Sequence, residues 1–239
     1  METNYLYIIS ALIVGLLFPL YAIANGKKTK DLLIENPEYR KLVFRQTAII
    51  LILLTIITIA PFLLQKESLS TIGLDFLDKP LWVISLFIIS VASLYLFKSV
   101  KFTVKNAQKF NNGNKRVAFL MPTTKTQYKL TIYVSFVAGI CEEIIYRGFL
   151  YWMLLDYFPL VVAVIVTNVP FALAHLTTTG KKNSFGAFVL GLIFSGAYIL
   201  TDSLWLPILL HIIVDLYSMT FAFRSHQILK SEPSKTNED

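Results

Sequence analysis

The stretch GICEEIIYRGFL, Gly139 to Leu150, sets two adjacent glutamates and an arginine inside a run that otherwise reads as one apolar helix. A carboxylate at the centre of a membrane costs about 2.5 to 3.5 kcal/mol on insertion scales, and each Leu or Ile returns only about 0.3 to 0.6. Neighbours such as Ile144, Ile145, Phe149, Leu150 and Trp152 can still drive insertion. Nothing in a lipid-facing helix requires Glu142 and Glu143, so both must face protein or water.

The rest of the chain supports the membrane reading. Of its 239 residues, 55% are hydrophobic and 15% charged, where a soluble domain carries about 25% charged residues. Seven apolar runs approach the roughly 20 residues needed to cross a hydrocarbon layer: about 4 to 24, 44 to 65, 80 to 100, 129 to 155, 159 to 178, 184 to 201 and 203 to 223. This pattern predicts an all-α, polytopic transmembrane helix bundle, a single domain over 1–223, and a polar, disordered cytoplasmic tail over 224–239. The first run has no positive segment before it and is too long for a signal core, so it reads as an uncleaved span. Gly186, Gly191 and Gly196 recur every five residues; they do not form the GxxxG stripe of a dimerising helix, though they permit close backbone approach. The lone Cys141 cannot close an intramolecular disulfide and reads as a small buried hydrophobe.

The formal net charge of +7 raises the question of an anionic partner, and the placement of the 22 basic residues answers it. Six lie in 25–45, eight in 98–129, two at Lys181 and Lys182, and three in the tail, all on alternate sides of the spans from Lys66 and Lys79. Arg147 is left within the membrane. This asymmetry predicts seven spans with the N-terminus outside and the C-terminus cytoplasmic. The basic balance is therefore topogenic. It suits contact with membrane lipid headgroups and gives no reason to invoke nucleic acid. In the third loop, Lys98, Lys101, Lys105 and Lys109 recur at helical spacing, which predicts that the third span runs on as a cytoplasmic extension until Asn111-Asn112-Gly113-Asn114 stops it.

Helical spacing separates the charges of the opening stretch. Glu143 and Arg147 stand at i and i+4 with the acid first, the favourable order for an ion pair on one face. Glu142 points about 100° away and has no such partner. That leaves Glu142 as the freer carboxylate, suited to a general base. Two later stretches add to it. PFALAHL places His175 one turn beyond Phe171, and LPILLHIIVDLY places His211 and Asp215 at i and i+4 on one face. By helix position Glu142 lies near mid-span, His211 toward the outside and His175 toward the cytoplasm, so their convergence requires tilted or offset helices. Packing, a proton or ion pathway, and water activation beside a peptide bond are all chemistries open to such a set.

Taken in order, EEIIYR, FALAH and HIIVD resemble the EExxxR, FxxxH and HxxxN/D motifs of the CAAX protease and bacteriocin-processing (CPBP, or Abi) family of intramembrane proteases. RGFLY after the first motif and SLWLPILLH before the third are similar as well. The resemblance covers about residues 130 to 220, and three ordered motifs in separate spans are far more specific than any one. It implies that Glu142 activates the attacking water, that His175 orients or deprotonates it, and that His211 with Asp215 completes the site, supported by Glu143 and Arg147. The catalytic type stays open between a glutamate-dependent hydrolase and a metalloprotease, with Glu142, His175, His211 and Asp215 as candidate zinc ligands. The local HExxH spacing of a common zinc protease helix is absent. Asp215 stands where other family members carry Asn: an ionised Asp cannot donate to an oxyanion but can bind metal or orient His211.

The resulting expectation is a multi-pass cell-membrane endopeptidase acting on a membrane-tethered protein or peptide, in CAAX-type processing, peptide maturation or bacteriocin immunity. The competing expectations are a non-catalytic peptide-binding or immunity protein of the same fold and an ion-coupled transporter. No inverted repeat or pair of broken helices supports the transporter.

Overall fold

A chain that folds in lipid must satisfy its backbone polar groups internally, and helices do so within each segment. The computed structural model describes residues 5–75 and 102–231, with positions 89–91, 93 and 98 between them, and no strand occurs among the described residues. The helices are α1 (Tyr5–Leu12), α2 (Phe18–Glu35), α3 (Arg40–Gln65), α4 (Val104–Gly113), α5 (Lys125–Glu143), α6 (Tyr151–Leu155), α7 (Leu160–Thr179), α8 (Lys181–Thr201) and α9 (Trp205–Ser231). A π-helical segment, Ile13–Leu17, joins α1 to α2, and a second, Ile144–Leu150, joins α5 to α6.

Among the described residues, four helical segments are long and apolar enough to cross a membrane: Tyr5–Glu35, Pro37–Gln65, Lys181–Thr201 and Trp205–Ser231. They correspond to the first, second, sixth and seventh expected spans. The fifth is helical, but its apolar stretch, Leu160–Leu176, is shorter. The fourth is helical too, with the charges of the opening stretch in its middle. The third, 80 to 100, lies for the most part outside the described residues.

Side-chain distribution shows what the solvent is. Leu64 and Leu200 are 72% and 85% exposed, while Glu143, Arg147, Gln127 and Asn168 are fully or almost fully buried. A protein that displays its leucines and hides its charges is built for lipid, where the polar groups must find each other inside. This is a membrane protein.

Two expectations need adjustment. The third loop does not continue a span: Thr103 is extended and its side chain accepts a hydrogen bond from Asn106 N, so α4 starts afresh at a capped N-terminus. It ends where expected, at Asn114. At the other end of the chain, α9 continues to Ser231, past the expected domain boundary at 223; residues 232–239 of the tail lie outside the described residues. Phe223 stacks on Tyr128, and Phe221 packs against Phe110 of α4, which keeps this part of the helix anchored.

The central pillar is α5 with its π segment. All seven residues from Ile144 to Leu150 are buried, as expected of a helix packed on every side. The extra residue of a π turn rotates the downstream helix by about 100° relative to an uninterrupted α-helix. Against this pillar α9 runs antiparallel, since Tyr128 Oη meets Thr220 Oγ1 at 2.9 Å while Glu143 meets His211 further along. The two backbones come closest at Gly139, where a Cβ would stand 2.5 Å from Ile212 Cγ1 and 3.1 Å from Ile212 N. Helix α3 packs on the opposite side of α5, and α7 and α8 form an antiparallel hairpin, tied where Ser184 Oγ donates to Ala172 O at 2.7 Å. The segment Leu69–Ile72 closes one end of the bundle. Ile72 is fully buried beside Gly148, and Gly73 O accepts from Leu204 N at 2.9 Å.

Close approach at Gly139 makes a comparative prediction. Gly139→Ala should lower stability in detergent by about 1 to 3 kcal/mol through overpacking. Gly186→Ala and Gly196→Ala, where a Cβ meets nothing within 4 Å, should change it by no more than about 0.5 kcal/mol. Thermal unfolding of the three variants in one detergent measures the difference.

Candidate active site

The approach at Gly139 sets Glu143, one turn further along α5, against His211 of α9. His211 Nδ1 lies 2.7 Å from Glu143 Oε1, and Arg147 Nη1 donates to the same oxygen at 2.9 Å. One buried carboxylate oxygen thus holds both an arginine from its own helix and a histidine from another. Because an ionised carboxylate only accepts, the histidine proton in this contact belongs on Nδ1. Nε2 is then directed at the two remaining acids: Glu142 Oε2 at 3.7 Å and Asp215 Oδ2 at 3.9 Å.

His175 repeats this design with a backbone partner. Its Nδ1 lies 2.8 Å from Phe171 O, and a carbonyl can only accept, which again leaves Nε2 as the free nitrogen. The imidazole is within electrostatic reach of Glu142 and Asp215. Between the two histidines stands Phe171, whose ring meets His175 edge-on at 5.2 Å and His211 at 6.1 Å, while the Arg147 guanidinium lies 4.5 Å from its centroid. On its other side His211 stacks on Phe194 at 5.1 Å. The aromatic walls exclude water from Arg147 and Glu143 and fix both imidazoles.

The structure therefore brings Glu142, His211 and Asp215 into one cluster with His175 beside it, and places Glu143 and Arg147 beneath. Depth within the cluster is graded. The side chains of Glu143 and Arg147 are 0% and 1% exposed, Glu142 is 15% and Asp215 35%. Glu142 and Asp215 line the open side, and Glu143 with Arg147 is sealed. One expected relation differs in geometry: at 3.9 Å, Asp215 stands beyond hydrogen-bond distance of His211, and the nitrogen an orienting partner would grip is held by Glu143. The close approach of α9 to α5 at Gly139 accompanies an interhelical contact shorter than the i,i+4 contact along α9.

Sequence reasoning missed Asn168 and Ser195. Arg147 Nη2 donates to Asn168 Oδ1 at 2.9 Å, and Asn168 Nδ2 donates to Ser195 Oγ at 2.9 Å and Val164 O at 2.8 Å. Asn168 lies seven residues before His175, two turns back on the same face; a polar residue at that spacing in an apolar helix was the available signal. Gly191 is the one glycine of its series in close contact, since a Cβ there would overlap Asn168 Oδ1 and stand 2.8 Å from Arg147 Nη2. Cys141 is buried against Leu51 and Ala138, away from this cluster.

Among the described residues no group of three or more His, Cys, Asp or Glu side chains is placed to hold one metal ion. No catalytic step is routed through a metal.

The bundle thus holds an inward-facing cluster of acids and histidines, partly exposed at Glu142 and Asp215 and sealed at Glu143 and Arg147. In a comparison with known protein families, residues 124–217 are similar to the family described as type II CAAX prenyl endopeptidase Rce1-like. The match covers less than half of the chain and agrees with the family that its motifs resemble. The matched residues contain all six site positions named from the sequence. No curated protein and no solved structure matches the chain.

The buried pair gives a stability prediction. Removing one partner of a buried, hydrogen-bonded ion pair strands the other charge, at about 3 to 5 kcal/mol, whereas replacing both with apolar groups of similar size is far less costly. Arg147→Met alone should thus destabilise the protein by that amount, and Glu143→Leu with Arg147→Met by clearly less than the sum of the two single changes. Denaturation of the four forms in detergent reads the cycle.

Proposed function

We propose that the chain is an intramembrane endopeptidase that hydrolyses a peptide bond in a membrane-tethered protein or peptide, with Glu142 activating the water. The observation that carries this reading is the partial exposure of Glu142 beside His211 Nε2, inside a segment matching a CAAX endopeptidase family. Glu142 accepts a proton from water as the oxygen attacks the scissile carbonyl, and returns it to the leaving amine as the tetrahedral intermediate collapses. His175 and His211 present their Nε2 atoms to the water and the intermediate. Glu143 holds His211 in place through Nδ1 and does not touch the reactants. Asp215, at the open edge, borders the path of the substrate and faces His211 Nε2.

The same reading places seven spans with the N-terminus outside, in a cell membrane. The Leu69–Ile72 segment seals one end of the bundle beside Gly148, and by the charge distribution that end is the outer one. Access from the cytoplasmic side or laterally from the membrane then suits the end of a tethered protein.

Purified wild-type protein in detergent should cleave members of a library of membrane-tethered peptides. Glu142→Ala and His175→Ala should each lose at least about 100-fold in kcat while unfolding at temperatures near the wild type. Full activity in Glu142→Ala would sink the assignment. A phenotype in cells without cleavage by any purified form would favour a peptide-binding or immunity role. Thorough chelation decides the catalytic type: unchanged activity would exclude an essential metal, and a loss that zinc restores would establish a metalloprotease.

A further inference from the structure

We infer that Asn168 is a positioning residue for the site, acting through Arg147 and Glu143 to hold the orientation and tautomer of His211. The inference rests on the proposed hydrolytic reading for its consequence on rate, and on geometry alone for its consequence on His211.

A line of hydrogen bonds crosses the bundle from helix to helix. It starts at Ser195 on α8, passes through Asn168 on α7, reaches Arg147 in the π segment, then Glu143 at the end of α5, and ends at His211 Nδ1 on α9, with every link between 2.7 and 2.9 Å. Asn168, Arg147 and Glu143 are each at most 1% exposed, so no solvent competes for these groups. An amide is suited to this position by its two ends. Its oxygen accepts from the guanidinium while its NH2 group donates to Ser195 and to Val164 O, which fixes the amide's sense. The Arg147 guanidinium is packed against two rings, 4.5 Å from the Phe171 centroid and 5.5 Å from that of Phe194. The missing Cβ at Gly191 makes the room in which Asn168 and Arg147 meet.

The far end of the line is where chemistry is affected. Glu143 Oε1 is shared by Arg147 and His211, so a displaced guanidinium moves the oxygen that keeps the imidazole proton on Nδ1. Without that hold the ring can turn or exchange tautomers, and Nε2 no longer faces Glu142. Asn168 touches neither water nor substrate in this scheme; its effect on rate is transmitted entirely through His211, which is the usual way partners behind a catalytic histidine contribute.

The test uses Asn168→Leu, similar in size but without hydrogen-bonding groups, and Asn168→Asp, which keeps the acceptor for Arg147. The chain has three histidines, so nitrogen-15 NMR of histidine-labelled protein in detergent, with resonances assigned by single substitution of each, reports the His211 tautomer without substrate. The wild type should show His211 protonated on Nδ1. Asn168→Leu should shift it toward a tautomer mixture and lower kcat about 10- to 100-fold, with KM within about twofold. Asn168→Asp should restore the Nδ1–H signal and most of the rate. Should Asn168→Leu not fold, Gly191→Ala presses on the same two side chains and should shift the His211 signal in the same direction. A folded Asn168→Leu or Gly191→Ala protein with a wild-type His211 signal would overturn the inference. So would an Asn168→Leu protein that is less stable yet has a normal kcat. A shifted His211 signal alongside a wild type that cleaves nothing would sustain the positioning role and count against the peptidase reading instead.

Discussion

The site depends on one oxygen atom. Glu143 Oε1 accepts from Arg147 at 2.9 Å and from His211 at 2.7 Å, and in doing so it joins the π segment to α9 in a medium that offers no other partner. Burying a carboxylate and a guanidinium in a membrane interior costs several kcal/mol per ion before their attraction is counted. The arrangement persists because every helix around it contributes something. Asn168 takes a second guanidinium N–H, Phe171 and Phe194 pack against the guanidinium, Gly139 lets the backbones of α5 and α9 come close, and Gly191 leaves the room in which Asn168 and Arg147 meet.

This interior inverts the layout of a soluble enzyme. A water-soluble bundle hides its leucines and sets its charges at the rim, whereas here Leu64 and Leu200 face outward while Glu143 and Arg147 are buried at the centre. The consequence for function is a steep gradient over a few ångströms. Glu143 and its neighbour Glu142 are adjacent in sequence, but one is sealed under aromatic rings and the other reaches the open side of the cluster. Two identical side chains acquire different surroundings because successive helical positions point about 100° apart: one is bonded to His211, and the other is the carboxylate to which the proposed mechanism gives the proton transfer.

The π segment Ile144–Leu150 belongs to the same logic. It comes directly after the two glutamates, and all of its residues are buried. Such segments recur at functional sites; here it carries Arg147 beneath the cluster and sets Gly148 against Ile72, which closes one end of the bundle. Helix α5 is thereby both the structural pillar and the element that supplies Glu142.

Sequence alone determined that this is an all-helical membrane protein, that Glu143 pairs with Arg147 along one helix, and which three motifs resemble a protease family. Each of these is local: hydropathy accumulates over about 20 residues, an i,i+4 pair needs only about 3.6 residues per turn, and a motif is read in one dimension. The number of crossings was less legible, because a helix can enter the bundle with charges or with a short apolar stretch once other helices cover it, as α5 and α7 do. Tertiary structure decided which partner holds His211. Spacing favoured Asp215 on the same helix, but the close crossing at Gly139 brings Glu143 nearer, at 2.7 Å against 3.9 Å. Asn168, Ser195 and Gly191 acquired meaning only in three dimensions as well. They bear on Arg147 across helix boundaries, and periodicity along one helix carries no information about the face another helix presents to it.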